Sequence, residues 1–179
     1  MIFIVIALLA IIAITAIIAV VRHNKAKEEK QKYYIAAGNI YKEDYLNYTL
    51  QNPIDGDKHY QKPKDQKTML YIKSLNTKEP YQYVFDPSKK VVFGRDQEKC
   101  NLFINEATVS KTHCCIFSQE FDVFLMDLSS SNGTTVHKGL FRNYLIGNGN
   151  MIQLETGDIL KIGSNKFKIF LFYYDVTIM

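Results

Sequence analysis

From Thr68 onward the chain breaks into short runs of β-branched and aromatic residues, each closed by Gly, Asn, Asp or Pro. The runs are "TMLYIKSL", "YQYVFD", "KVVFGR", "NLFI", "HCCIFSQ", "VFLMDL", "TTVHKG", "NMIQL", "DILKIG" and "KFKIFLFYYD". About ten strands in so short a stretch predict an all-β fold, a sandwich or barrel of antiparallel strands. No long helical period interrupts them, which disfavours a doubly wound α/β sheet. No internal repeat is present.

The other end of the chain has a different physics. "MIFIVIALLAIIAITAIIAVV", residues 1–21, holds no charged side chain, and Thr15 is its only hydroxyl. As a helix it is roughly 30 Å long, the hydrocarbon thickness of a bilayer. It lacks the charged start and small-residue cleavage site of a secretory leader. The segment therefore reads as a single transmembrane helix. "RHNKAKEEKQK", Arg22 to Lys32, follows with five Lys/Arg against two Glu. The positive-inside rule then places the N-terminus outside the cell membrane and the remainder in the cytoplasm.

Residues 22–66 read as a basic juxtamembrane segment and linker. Ile40, Tyr41, Tyr45 and Tyr48 have the spacing of a short amphipathic helix. "NPIDGDKHYQKPKDQK" then breaks regular structure with two prolines and a glycine. Six of the twelve tyrosines fall in this linker, a composition that favours docking over drifting. Overall charge is 22 Lys+Arg against 18 Asp+Glu, too even to mark a nucleic-acid surface. The three cysteines, Cys100, Cys114 and Cys115, are odd in number with two adjacent, which fits a reducing compartment better than a disulfide framework.

Loops at one end of a sandwich can assemble a site from distant stretches of chain. Three stretches carry suitable chemistry. "VVFGRD" ends a strand in Gly94 and presents Arg95; "ATVSKTHCCI" offers Ser110 and Lys111 before His113; "DLSSSNGTTV" offers Ser131, Asn132 and Gly133. A guanidinium, an ammonium, two hydroxyls and an amide suit a phosphate ester attached to a peptide. Arg donates two parallel hydrogen bonds and keeps its charge, while Asn both donates to and accepts from a peptide backbone.

In order and spacing, "FGRD", "VSKTH" and "DLSSSNGTTV" resemble the forkhead-associated (FHA) domain. "CNLFI" and "LETGDILKIGSNKF" resemble that family's short strand after Gly-Arg and its late hairpin, so the likeness runs from Met69 to Tyr174. The resemblance implies an eleven-stranded antiparallel β-sandwich over residues 67–179 whose loops bind phosphothreonine peptides. Carried over by position, it implies that Arg95 and Ser110 contact the phosphate and that Lys111 and Ser131 complete the pocket. Asn132 would hold the peptide backbone, and Thr108 would read the side chain three positions downstream. Gly94, His113, Gly133 and Thr134 match positions that shape the loops. Lys111 stands where the family more often has Arg, and "HKG" at 137–139 varies the usual Asn-Gly turn.

Other chemistries find no constellation. His113 and Cys114 are neighbours on a strand and point to opposite faces; Cys115 shares the His113 face without a third orienting group. Zinc spacings are absent. In Asp127–Lys138 the glycine falls one position late for a calcium loop, and "GNGN" lacks the third glycine of a dinucleotide site. The expectation is thus a membrane-anchored, non-enzymatic module without cofactor or metal. Its partner would be a phosphothreonine protein made by a Ser/Thr kinase, and likeness to bacterial membrane FHA proteins points to cell-wall synthesis or division. The rival expectation is a phospho-independent membrane scaffold. A weaker one is self-recognition through phosphorylated Thr49 or Thr68.

Overall fold

The computed structural model describes residues 2–51, 66–76 and 80–176 and forms two compact units, Met1–Ala36 and Ala37–Met179. The proline-rich part of the expected linker, 52–65, lies outside the described residues.

Helix α1 (Ile2–Gln51) does not stop near Val21. After Val21 the sequence supplies Ala, Lys, Glu, Gln and Arg, all strong helix formers, and no proline before Pro53. The short helix expected around Ile40–Tyr48 is the end of this single element. In the first unit, apolar side chains such as Leu8, Ile12 and Val20 remain exposed. By length and composition this is the one helix among the described residues able to cross a membrane.

The second unit is a two-layer sandwich. One sheet has the order β2 (Gln82–Phe85), β1 (Gln66–Ser74), β11 (Asn165–Asp175), β10 (Ile159–Ile162), β7 (Thr134–Lys138), β8 (Arg142–Ile146). The other has β4 (Leu102–Phe103), β3 (Val91–Gly94), β5 (Cys114–Gln119), β6 (Asp122–Asp127), β9 (Met151–Gln153). Eleven strands thus lie among the described residues. Two points differ from the sequence reading. The β3–β4 pair is parallel, not antiparallel, with Phe93 opposite Leu102. The loop 95–101 makes this possible by running back along β3, where Asn101 both donates to the Val92 carbonyl and accepts from the Val92 N–H. Strand β8 is absent from the runs read in the sequence. It is an edge strand with four exposed residues in five, so it has no hydrophobic alternation to betray it.

Leu70, Ile72, Phe93, Ile116, Leu125, Val136, Leu160, Ile162 and Ile169 fill the space between the sheets. β1 is buried on both faces. Leu70 and Ile72 enter that core, while Met69 and Tyr71 are buried without joining it. Part of the reason is α1: Tyr41, 3% exposed, stacks on Tyr174 with ring centroids 5.8 Å apart. Its hydroxyl donates to Asp86 Oδ2 (3.3 Å) and lies 3.6 Å from Met69 Sδ. Gly38 meets the same tyrosine so closely that a Cβ would lie 2.8 Å from the Tyr174 hydroxyl. Burial, and then the Asp86 carboxylate, raise the Tyr41 phenol well above the ordinary tyrosine range. Tyr41→Ala is expected to lower the stability of the second unit by about 3 kcal/mol, whereas Tyr41→Phe costs about 1 kcal/mol. Thermal unfolding of the two variants checks the order.

Candidate functional site

The sandwich has two ends. β3, β6, β8 and β10 end where β5, β7, β9 and β11 begin, and here the three candidate loops meet. Gly94 makes the meeting possible. A Cβ on it would lie 2.2 Å from the Lys111 carbonyl oxygen, so only glycine lets β3 approach the loop before β5. Through that approach Arg95 N–H donates to the Ser110 carbonyl (3.0 Å) and Asp96 N–H to that of Lys111 (3.1 Å).

The Arg95 side chain is exposed, and its Nε donates to the Val109 carbonyl at 3.1 Å. That bond holds the guanidinium beside the serine loop and leaves both Nη groups without a hydrogen-bond partner among the described residues. The third loop closes on the second twice. Ser131 N–H donates to Ser110 Oγ (3.2 Å), and Asn132 Nδ2 donates to the Thr108 carbonyl (2.8 Å). Arg95, Thr108, Ser110, Ser131 and Asn132 therefore form one connected cluster on three loops. Lys111 joins it through its backbone only; its exposed side chain is not tied to the others by any hydrogen bond or ion pair.

His113, fully buried, sits beneath the loops. Ser110 N–H donates to its Nδ1 (3.1 Å), and Nε2 lies 3.2 Å from the Gly133 carbonyl. An accepting Nδ1 and a carbonyl partner for Nε2 place the ring proton on Nε2. Gly133 has φ +71°, and a Cβ there would come within 2.9 Å of the Ile146 carbonyl. Burial pushes the Cys114 and Cys115 thiols up, away from thiolate character.

Three residues to which the sequence reading gives no role at the site hold this geometry. Asp127, fully buried, accepts from Ser130 N–H (2.9 Å), Ser130 Oγ (2.7 Å) and Thr134 Oγ1 (3.2 Å). Ser130 Oγ in turn accepts from Gly133 N–H (3.0 Å). An Asp at the head of a run of turn residues, able to accept from backbone and hydroxyl groups a few positions on, is the available signal. Glu106 accepts from the Thr108 hydroxyl, from Ser164 N–H and Oγ, and from Asn165 Nδ2 (2.7 Å). It pins the Thr108 loop to the β10–β11 turn. These bonds, the Thr108 hydroxyl first, hold the Glu106 carboxyl below its ordinary range. A depressed carboxylate contributes its stabilisation above the ordinary glutamate value and loses it as pH falls through the lowered one. Glu106→Gln is expected to weaken ligand binding about three- to tenfold at neutral pH, the effect of roughly one hydrogen bond. It should also flatten the loss of binding on acidification, read by anisotropy titrations across pH.

Thr68 and Thr49 are poorly placed as self-ligands. Thr68 is 9% exposed in β1 with its hydroxyl donating to the Phe121 carbonyl, and Thr49 is helical with its hydroxyl on the Leu46 carbonyl.

The sandwich thus gathers an arginine, two serines and an asparagine from three loops at one rim. Residues 91–163 match the family model of the FHA domain, and this part of the chain is an FHA domain. Among solved structures the chain is similar to the FHA domain of the CT664 protein from Chlamydia trachomatis, with 18% identity and a TM-score of 0.48 over 56% of this chain and 95% of that one. It is similar also to the FHA domain of an Arabidopsis thaliana hypothetical protein, at 21% identity and 0.47, covering 65% and 93%. Mycobacterium tuberculosis EmbR, solved with a low-affinity phosphopeptide, matches at 22% identity and 0.45, over 56% of this chain and 24% of EmbR. A search of the curated proteins found no match.

Proposed function

We propose that the chain is a membrane-anchored reader of phosphothreonine. Residues 1–21 span the cell membrane with the N-terminus outside, and the FHA domain works in the cytoplasm. There it recruits proteins phosphorylated by a Ser/Thr kinase, in a pathway of cell-wall synthesis or division. The observation that carries the reading is the anchored Arg95: Nε is held by the Val109 carbonyl, one residue before Ser110, while both Nη groups have no hydrogen-bond partner among the described residues. A phosphate accepting from the guanidinium fork and a serine hydroxyl gains about 1.5–3 kcal/mol per charge-assisted bond. Ser110 Oγ already accepts from Ser131 N–H, which leaves its own proton to donate. The Asn132 amide oxygen has no hydrogen-bond partner among the described residues and is available to a peptide N–H. After ordering costs the expected affinity is micromolar, about −8 kcal/mol. The test is capture of partners on the full chain in nanodiscs, from lysate with and without phosphatase treatment. Capture lost on dephosphorylation supports the reading; equal capture from both would identify a phospho-independent scaffold instead.

A further inference from the structure

At the end of the sandwich opposite the Arg95 loops, the β7–β8 hairpin turns through Gly139, Leu140 and Phe141. Lys138 pairs with Arg142 across its base, and Gly139, at φ +62°, makes the three-residue turn. Leu140 is 89% and Phe141 90% exposed, more than any other large apolar side chain among the described residues. Hairpin turns are ordinarily built from Gly, Asn and Asp, and nothing in the backbone here calls for two large apolar groups in water. Lys138 is engaged by Asp158 (3.1 Å) and Glu155 (3.2 Å), so its charge is matched within the fold, while Arg142 stays exposed.

Two further features share this end. Phe121, 66% exposed, tips the β5–β6 hairpin and is tied to the start of β1 by the bond from Thr68 to its carbonyl. The chain also reaches the domain here: β1 begins at Gln66 beside Asp175, and the Tyr41 contacts with Tyr174 and Asp86 lie alongside. Only residues 22–36 separate the apolar N-terminal segment from the second unit, at most ~22 Å if helical.

We propose that this end of the FHA domain rests on the bilayer that holds the N-terminal segment, with Leu140 and Phe141 inserted at the headgroup–acyl boundary and Phe121 as a second contact. The proposal rests on the membrane-anchor reading above. Two or three apolar side chains bind a bilayer only weakly on their own. On a short tether the domain is already held at high effective concentration near the surface, so a weak contact suffices to bias orientation. The consequence is functional: the Arg95, Ser110 and Asn132 loops, a strand length away at the other end, are presented to the cytoplasm.

The chain contains no tryptophan, so a single introduced indole reports its own surroundings. Phe141→Trp and, as a control at the opposite end, Phe103→Trp are made in the full chain and reconstituted into phosphatidylcholine/phosphatidylglycerol vesicles. Flotation first measures membrane association; emission is then read with ordinary and acyl-brominated lipid. The expected result is flotation of both variants. In Phe141→Trp the emission is blue-shifted and roughly halved by brominated chains, as for a ring about 5–10 Å into the boundary, and in Phe103→Trp it is unaffected. Flotation of Phe141→Trp with its emission unquenched overturns the proposal and leaves the anchor standing. A blue shift without quenching that grows with protein density assigns the tip to a second copy, and equal quenching in both variants means no preferred orientation; each overturns it. Failure to float removes the anchor reading and this proposal with it.

Discussion

Arg95→Ala is expected to weaken phosphothreonine-peptide binding roughly hundredfold, with the melting temperature of the domain almost unchanged. The two halves of that statement have separate origins. The side chain is exposed and contributes one hydrogen bond to the fold, Nε to the Val109 carbonyl, so truncation costs the folded state about 1 kcal/mol or less. The proposed ligand loses more: two charge-assisted bonds from a planar fork, about 3 kcal/mol together, which is roughly a factor of 100 in affinity. Arg95→Lys separates charge from geometry. It keeps the positive charge but neither the fork nor the Nε donor, so it should recover only part of the loss. An unphosphorylated peptide should be bound equally poorly by all three proteins.

The largest structural effect is expected at the preceding residue. A Cβ at Gly94 meets the Lys111 carbonyl oxygen at 2.2 Å, the Lys111 carbonyl carbon at 2.8 Å and Cys100 Sγ at 3.0 Å. The first two contacts are with backbone, which cannot swing aside as a side chain can. Relief requires moving β3 from the loop before β5, and that stretches Arg95 N–H to Ser110 (3.0 Å) and Asp96 N–H to Lys111 (3.1 Å). Gly94→Ala is expected to destabilise the domain by about 3 kcal/mol, lowering its melting temperature by roughly 10 °C, and to remove peptide binding at temperatures where the domain is still folded. Gly139→Ala is the matched control. Its Cβ meets nothing within 4 Å, so only the strain of a positive φ remains, about 1 kcal/mol, and binding should persist.

Most of the fold was legible because its strands are half-buried and carry their period on their surface. β5, β6, β7, β10 and β11 each alternate or run apolar between turn residues. β8 was not legible, since Arg142, Asn143, Tyr144 and Leu145 are all exposed at the sheet edge. The parallel β3–β4 pairing depends on a loop doubling back through Asn101, a nonlocal fact that no window of sequence contains. The length of α1 was written in the absence of breakers before Pro53, and what hid it was a weak apolar face, explained by the few residues that dock. At the site, residue types were legible and ties were not. Arg95, Ser110 and Asn132 stand out because guanidinium, hydroxyl and amide recur in turn contexts. Their joining runs largely through backbone atoms, the carbonyls of Thr108, Val109 and Ser110 and the N–H of Ser131, and backbone atoms are the same in every sequence. The buried Asp127 staple and the Glu106 brace likewise show their purpose only once the loops are adjacent.

The central claim is that the cluster on these three loops recognises a phosphate ester on threonine. Its most direct measurement is fluorescence anisotropy of a phosphothreonine peptide library and its unphosphorylated twin, titrated with the full chain in nanodiscs and with Arg95→Ala. Micromolar binding of phosphorylated peptides alone, lost in the variant, is the predicted result. Equal binding of both libraries, or binding indifferent to the Arg95 change, would contradict it.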